Sequence, residues 1–404
     1  MIGTRWLYTD TNVSPIIKRN IMTKFIVPKE IFHGLGTLEN LKEVKGSKAV
    51  IVIGGNSVKK NGVLEKAQNF LSDANIKSAV FGGVEADPSI ETVLKGAEFF
   101  TQEQPDVVIG LGGCSAIDAA KAMWVYYEYP DSKLEELAAP FAVKPMRNKA
   151  IFVAIPSTSG TGTEITGLSV ITDKAKGTKY PIVSHELTPD VAIIDGELCA
   201  SMPKHVTANT GLDALSHGVE AYVSNIADRY NDALAKGSID LVFKNLTTAV
   251  EEPDNLEARQ AMHDASCMAG MAFTNVWLGI VHSMSHQIGG TFGVPHGCGN
   301  AILMPNVIRF NARVTDKYED LAALSGKSTA EEFAQDVSEL RAAAGVAGSL
   351  KEYGIDEKEW NAKLDTLTEN ALKDPCTLFN PRKPTFDEIK AIYQACYDGT
   401  AITF

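Results

Sequence analysis

The first half of the chain alternates short apolar runs with longer stretches of helical periodicity. The β-rich runs are AVIVI (49–53), SAVF (78–81), DVVIGL (106–111), AIFVAI (150–155), SVIT (169–172) and VAIID (191–195). Helical periodicity lies between them near 57–75, 88–104 and 115–127. Strands that alternate with helices are typical of a parallel sheet covered on both faces, so we predict an α/β, Rossmann-like domain built on these runs.

From about residue 205 the pattern changes to long helical periodicities, at roughly 206–225, 229–249, 255–289 and 328–345. We therefore predict an α/β domain over 22–204 and an all-α domain over 205–404, with a ligand-binding cleft between them. Residues 1–21 lack the apolar core of a signal peptide, and we interpret them as a leader, tag or loose tail.

Composition excludes several classes of partner. The 404 residues carry a formal charge of −12 without a stripe of Lys and Arg, which argues against nucleic acid and anionic membrane. No apolar run approaches the ~18 residues that span a bilayer. The six cysteines are scattered and form no C-x-x-C pair, so we expect a reducing, cytoplasmic location.

Three strand ends run into loops rich in glycine and hydroxyl groups: GGNSVKKNG (54–62), GGCSAIDAAKA (112–122) and PSTSGTGTE (156–164). In the second loop, Gly112 and Gly113 allow close approach of a phosphate, and the helix that follows aims its free amides at it. We predict that Ser115 caps this helix and that Asp118 stands at capping-box spacing. Because neither G-x-G-x-x-G nor a Walker motif occurs, the site is not an ordinary Rossmann or P-loop site.

The first of these loops bears on the choice of coenzyme. Gly55, Asn56 and Ser57 follow the strand where an NAD site often places an acidic residue for the ribose diol. A carboxylate ~4 Å from a 2′-phosphate would cost on the order of 4 kcal/mol. Its absence permits NADP, with Ser57, Lys59 and Lys60 as donors, and NAD stays the alternative.

Histidine and aspartate recur at helical spacing in the second half. Asp213 and His217 are an i, i+4 pair in GLDALSHGVEAY, and His282 and His286 form another in GIVHSMSHQIGG. His296 follows in a Val-Pro-His-Gly turn. One such pair alone is more often a structural hydrogen bond. Together, three imidazoles and one carboxylate suit Fe²⁺, Zn²⁺, Co²⁺ or Ni²⁺, and the lack of thiolates argues against a structural zinc site.

These motifs resemble one known family. From about Met22 to the C-terminus the chain is similar to the iron-containing (group III) alcohol dehydrogenases, through GGCSAIDAAKAM, PSTSGTGTEIT, GLDALSHGVEAY, GIVHSMSHQIGG and VPHGCGNAIL. It looks most like the NADPH-dependent butanol dehydrogenases. It also resembles the alcohol-dehydrogenase half of bifunctional aldehyde–alcohol dehydrogenases, which the segment DPCTLFNPRKPTFDEIKAIY (374–393) strengthens.

The resemblance implies the dehydroquinate synthase-like fold, commonly a homodimer, and assigns the site residues. The implied metal ligands for Fe²⁺, or Zn²⁺ in its place, are Asp213, His217, His282 and His296, and His286 would lie beside the nicotinamide and relay a proton. Phe273 and Cys376 would border the substrate pocket. The coenzyme contacts that it implies are Gly112, Gly113, Cys114, Ser115, Ser157, Thr158, Thr161, Leu168 and Lys179. The loops described above add Gly55, Asn56, Ser57 and Asp118 to the expected contacts. Cys114 and Ala116 replace the family's usual glycine and proline, and Asn56 replaces a glycine of the NADP-type turn.

The expected function is metal-dependent hydride transfer between NADP(H) and a small primary alcohol or aldehyde such as butanol or butanal. An NAD-dependent dehydrogenase of polyols or secondary alcohols from the same superfamily is the first alternative. A dehydroquinate-synthase-like lyase would need Lys or Arg groups for an anionic substrate, which the metal-binding segments lack. A non-catalytic assembly protein is the alternative from a different class.

Overall fold

The computed structural model describes residues 24–404, so the interpretation of 1–21 as a leader or tail lies outside the described residues. Six strands form one parallel sheet in the order β1-β8-β5-β4-β2-β3. Two more strands, β6 and β7, form a separate antiparallel hairpin. The strands are β1 Glu30–His33, β2 Lys48–Ile53, β3 Lys77–Phe81, β4 Val107–Gly112, β5 Ile151–Pro156, β6 Leu168–Asp173, β7 Thr178–Val183 and β8 Val191–Ile194.

The sheet is buried on both faces, as its continuous apolar runs predict. Along β2, Val50 and Val52 belong to one apolar cluster, and Ala49, Ile51 and Ile53 belong to the cluster on the opposite face. The order reverses between β2 and β4, since the chain proceeds outward from β2 to β3 but crosses to β4 and β5 on the other side. In open α/β sheets, ligands bind outside the carboxyl ends of the strands at such a reversal.

Five α-helices belong to this domain: α1 Ser57–Lys60, α2 Val63–Asp73, α3 Ile90–Glu103, α4 Cys114–Glu128 and α5 Leu134–Leu137. The single helix predicted over 57–75 is wrong, because Gly62 adopts a left-handed φ of 77° and separates α1 from α2. The place of run 169–172 in the parallel sheet is also wrong. This run lies in β6, which pairs with β7 across a short turn and leaves its alternate residues half-buried.

The second half is helical, as expected. Its helices are α6 Lys204–Val223, α7 Arg229–Glu251, α8 Leu256–Val276, α9 Ile280–Phe292, α10 His296–Asn311, α11 Lys317–Ala322, α12 Ala330–Ala343, α13 Leu350–Tyr353, α14 Glu357–Lys373 and α15 Phe386–Asp398. The continuous helix predicted over 255–289 is wrong. Trp277 takes a φ of 63°, which ends α8, and Gly279 precedes the start of α9.

Packing in this half forms one large apolar cluster to which α6, α8, α9, α10 and α15 all contribute. No helix within residues 24–404 combines the length and the apolar character that crossing a bilayer requires. The two halves meet where the loop after β5 packs against α6 and α8: Gly160 lies against Thr210, and Gly162 lies against Gly270.

Candidate metal and coenzyme site

The three glycine-rich loops lie side by side at the carboxyl edge of the sheet. Ile53 is in register with Leu111, and Gly112 with Pro156, so β2, β4 and β5 end together. The Ser157 N–H donates to the Gly112 carbonyl at 2.8 Å, which joins the second loop to the third. The structure therefore brings together the loops that the sequence predicts for a nucleotide crevice.

Gly112 and Gly113 allow the chain to turn tightly into α4. Gly112 has a φ of +144°, and a Cβ there would lie 3.2 Å from the Cβ of Ala116. The prediction that Ser115 caps the helix is wrong. Gly113 occupies the N-cap position without a side-chain bond, and Ser115 is already within the first turn. The amides of this turn thus have no side-chain cap, which suits an anion at the N-terminus of α4.

Asp118 is not at a capping position either. It is buried on α4, where one carboxylate oxygen accepts from Thr163 Oγ1 at 2.6 Å and the other from the Val170 N–H at 2.9 Å. Lys121, one turn further, is fully buried and donates to the carbonyls of Thr163, Thr166 and Leu168 at 2.6, 2.7 and 3.0 Å. Asp118 therefore holds the third loop in place from behind.

Burial shifts the ionisation of this pair in opposite directions. It lowers the pKa of Lys121 to about 8, against the charge of Asp118, and it raises the pKa of Asp118, against the charge of Lys121. Each charge compensates the other, so the loss of either side chain alone would leave an uncompensated buried charge beside the loop.

Most of the remaining predicted coenzyme residues lie on these three loops, and Leu168 and Lys179 lie on the β6–β7 hairpin. Gly55, Asn56 and Ser57 lie exposed where α1 begins, and Thr158 lies against Gly113. Burial raises the pKa of the Cys114 thiol, which hydrogen-bonds Thr161. Lys179, on β7, pairs with Asp87 at 2.6 Å.

Four predicted metal ligands converge at the start of the helical half. Ligand atoms of Asp213, His217 and His282 all lie within 4.8 Å of one another. From Asp213 Oδ1, the Nε2 atoms of His217 and His282 are each 3.9 Å away, and His296 Nε2 is 3.6 Å away. His296 is the first residue of α10, so helix α6, helix α9 and the N-terminus of α10 each supply part of the set.

Each imidazole is oriented by a partner at its other nitrogen. His217 Nδ1 donates to the Gly160 carbonyl at 3.1 Å. His296 Nδ1 faces Ser285 Oγ at 3.4 Å, and that hydroxyl donates to the carbonyl of His296 at 3.1 Å. With Nδ1 as the donor, the neutral ring presents an unprotonated Nε2 toward Asp213, which is the tautomer that binds a metal.

The third imidazole has a carboxylate partner that sequence reasoning missed. His282 Nδ1 lies 2.6 Å from Glu220 Oε2, while Glu220 Oε1 accepts from the Val281 N–H at 2.6 Å. Burial raises the pKa of Glu220 to about 8 and lowers the pKa of His282 well below its ordinary value. A carboxylate behind a ligating imidazole is a recurring feature of metal sites.

Close packing brings α10 against α6. A Cβ on Gly297 would lie 1.9 Å from the Asn209 carbonyl, so only glycine fits after His296. Phe273, predicted for the substrate pocket, stacks its ring on His217 with the centroids 4.4 Å apart.

His286 lies beside the ligand set. Its ring stacks on that of His296 at 5.4 Å, and its Nδ1 is 2.9 Å from Asp374 Oδ2. Burial opposes ionisation of Asp374, but the hydrogen bonds from His286 and Cys376 help to hold the pKa of Asp374 below its ordinary value. Cys376, whose N–H donates to Asp374 Oδ1 at 3.0 Å, completes a second His-Asp-Cys cluster.

Two of the residues that sequence reasoning missed were signalled by spacing. Glu220 follows His217 by three positions and Asn300 follows His296 by four, so each shares a helix face with a ligand. Asp374 had no such signal, because it lies 88 residues from His286 in sequence.

The donor set fits a divalent cation of the first transition row. Three oriented Nε2 atoms lie within 3.9 Å of Asp213 Oδ1. Four such ligands would leave coordination positions free on a five- or six-coordinate ion. Without a cation, Asp213 would be a buried carboxylate surrounded by neutral imidazoles, which is costly.

Comparison with known proteins accords with this geometry. A family model for iron-containing alcohol dehydrogenase matches residues 28–196, and one for the C-terminal part of the Fe-containing alcohol dehydrogenase family matches residues 207–397. An NADPH-dependent butanol dehydrogenase from Clostridium saccharobutylicum is 46% identical over 391 residues, which cover 95% of this chain and 100% of that relative.

Two further similarities differ in extent. An aldehyde-alcohol dehydrogenase from Streptococcus pneumoniae is 39% identical over 95% of this chain, but the chain spans only 47% of that relative. The solved structure of an iron-containing alcohol dehydrogenase from Thermococcus thioreducens superposes with a TM-score of 0.87 at 36% identity, covering 93% of this chain and 100% of that one.

Proposed function

Since the chain belongs to the iron-containing alcohol dehydrogenase family, we propose that it exchanges a hydride between NADP(H) and a small primary alcohol or aldehyde, such as butanol and butanal. The observation that carries this proposal is the bond between His217 Nδ1 and the Gly160 carbonyl. This bond joins His217, one of the proposed metal ligands, directly to the loop that follows β5. It supports the proposal that the coenzyme and the cation bind in one cleft.

The residues that would hold the ion are Asp213, His217, His282 and His296. A divalent iron ion, or zinc in its place, would supply Lewis-acid polarisation of the alcohol or carbonyl oxygen. Glu220, Ser285 and the Gly160 carbonyl keep the three rings in the tautomer that presents Nε2. The chain thus contributes a preorganised donor set whose orientation does not depend on the substrate.

The NADP preference rests on the end of β2. Gly55, Asn56 and Ser57 present no carboxylate there, and the exposed Lys59 and Lys60 offer positive charge to a 2′-phosphate. The butanol dehydrogenase relative, described as NADPH-dependent, supports the same preference. NAD(H) is the alternative coenzyme.

His286 is proposed to receive the alcohol proton. Because Asp374 accepts from Nδ1, the ring's Nε2 is left as the acceptor. Phe273 and Cys376 lie on two sides of this region and are proposed to border a small pocket. His286→Ala should lower kcat and change the pH–rate profile, and an unchanged rate and profile would contradict the role.

The proposed assembly is a homodimer in the cytoplasm. Within residues 24–404, β1 is an edge strand of the sheet, and we propose that its outer backbone groups pair with a second copy. The free cysteines among the described residues accord with a reducing compartment.

The deciding experiment is turnover of a graded series of aldehydes with NADPH and with NADH, on protein purified anaerobically and assayed for iron and zinc. We expect NADPH to give the higher kcat/KM with butanal, and chelation to abolish turnover until metal is restored. A higher kcat/KM with NADH would contradict the coenzyme assignment. Turnover that survives complete metal removal would contradict the mechanism.

A further inference from the structure

Asn300 lies against the proposed ligand set without being one of the expected ligands. It is fully buried on α10, one turn after His296. Its Nδ2 is 2.8 Å from Asp213 Oδ1, 3.3 Å from His282 Nε2 and 3.2 Å from His296 Nε2. These three ligand atoms form a triangle, and the amide nitrogen contacts all three corners.

The chemistry of the triangle fixes which end of the amide faces it. Asp213 Oδ1 is an acceptor, and the Nδ1 atoms of His282 and His296 are committed to Glu220 and Ser285, so their Nε2 atoms carry lone pairs. An amide oxygen in that position would face three lone pairs, whereas an NH₂ group has two N–H donors and gives one of them to Asp213 Oδ1. An amide NH₂ has no available lone pair and cannot bind a cation.

The other end of the amide indicates that this arrangement has a cost. Asn300 Oδ1 is buried and has no hydrogen-bond partner among the described residues. An unsatisfied buried acceptor is destabilising, and a leucine of similar volume would avoid that cost. The NH₂ group must therefore provide something that an apolar side chain would not.

We propose that Asn300 is a positioning residue that caps one face of the metal site. Its hydrogen bond orients the Asp213 carboxylate. When an ion is bound, the NH₂ group would keep water from the face formed by Asp213, His282 and His296, so that water or substrate would reach the ion from the other side. This inference rests on the proposed metal site.

The test uses cobalt(II), whose visible absorption weakens as its coordination number rises from four to six. Chelator competition gives the Co²⁺ dissociation constant in the same samples. Asn300→Ala makes room for water, so we expect weaker visible bands and a dissociation constant about 10- to 100-fold higher. Asn300→Leu refills the face without donating, so we expect wild-type band intensity but a similarly weakened affinity.

Asn306→Ala is the matched control, because Asn306 is a buried amide on the same helix whose Nδ2 bonds the Thr400 carbonyl instead. It should leave both the Co²⁺ spectrum and the affinity unchanged. Far-UV circular dichroism checks that each variant is folded, and Asn300→Leu keeps the test decisive if Asn300→Ala unfolds.

The outcomes distinguish the role of Asn300 from the proposed metal site on which it rests. Wild-type protein that binds no Co²⁺ contradicts the proposed metal site itself. Wild-type protein that binds Co²⁺, with variants of unchanged spectrum and affinity, overturns the role of Asn300 alone. If the Co²⁺ spectra of both Asn300→Ala and Asn300→Leu indicate one protein ligand fewer than wild type, the amide oxygen binds the ion. That result also overturns the capping role.

Discussion

The two halves of the cleft are built by different means. In the helical half, side chains form the site, and each imidazole has a second partner that fixes its orientation. In the α/β half, backbone groups form most of the candidate site. Glycines shape the turn into α4, and the first amides of α4 have no side-chain cap. Side chains there, such as Asp118 and Lys121, act from behind the loops.

This contrast teaches where substitutions should act. Replacing a proposed ligand in the helical half should reduce activity without unfolding the protein. Replacing the buried pair in the α/β half should destabilise the fold before it affects any one contact with the coenzyme.

The largest effect is expected at the ligands. Asp213→Ala removes the carboxylate that all three imidazoles face, so kcat/KM should fall by at least about 1000-fold, equivalent to several kcal/mol of lost Lewis-acid stabilisation. Elemental analysis should find less bound metal. Binding of NADPH, followed by its fluorescence, should persist. The exposed His205→Ala on the same helix should behave as wild type, and retained turnover in Asp213→Ala would break the comparison.

The second effect is on stability in the α/β half. Lys121→Met leaves three carbonyls without their donor and the buried Asp118 carboxylate without its compensating charge, which should lower the free energy of unfolding by about 3–5 kcal/mol. Urea denaturation measures this loss. The double variant with Asp118→Asn should lose less than the sum of the single variants, and strict additivity would show that the two charges do not compensate each other.

The third effect lies at the seam between the halves. His263, on α8, is fully buried, faces Ser159 Oγ at 2.9 Å through Nδ1 and bonds the backbone of Pro156. Burial lowers the pKa of His263 from 6.5 to about 4. Below pH 6.5 the unfolded chain therefore binds a proton that the folded protein excludes.

The contribution of His263 to the free energy of unfolding is fully present above pH 6.5. As the pH falls toward 4, up to about 3 kcal/mol of it is lost. His263→Gln should be less stable than wild type at pH 8 but decline less steeply over that range. The exposed His205→Gln should keep the wild-type slope. Parallel pH profiles for wild type and His263→Gln would contradict the assignment.

The smallest effect concerns coenzyme choice. Replacing both Lys59 and Lys60 by alanine should raise KM for NADPH about fivefold and leave KM for NADH unchanged, since exposed ion pairs contribute at most about 1 kcal/mol. Lys66→Ala, on the exposed surface of α2, is the matched control. Equal changes with both coenzymes would count against a 2′-phosphate contact.

Sequence could predict the parts of the molecule that repeat a simple period. The central strands are continuous apolar runs because both of their faces are buried, and Asp213 and His217 are readable because one helical turn separates them. β1 and β7 were missed, because an edge strand and an exposed hairpin strand carry no such run.

Long-range partners were beyond the reach of spacing. The bond of Asp374 to His286 depends on how the chain after α14 returns to α9, and nothing near either residue indicates it. The break between α8 and α9 was also hidden, because Trp277 continues the apolar pattern while its backbone leaves the helical region.

The bond from His217 to the Gly160 carbonyl has one more consequence. A ligand that fixes the loop after β5 also fixes the imidazole, and an ion that fixes the imidazole also fixes that loop. If this bond couples the two sites, a bound cation must change coenzyme affinity by the same factor by which bound coenzyme changes cation affinity. If each strengthens the binding of the other, a shortage of the cation would weaken coenzyme binding, and a shortage of coenzyme would weaken cation binding.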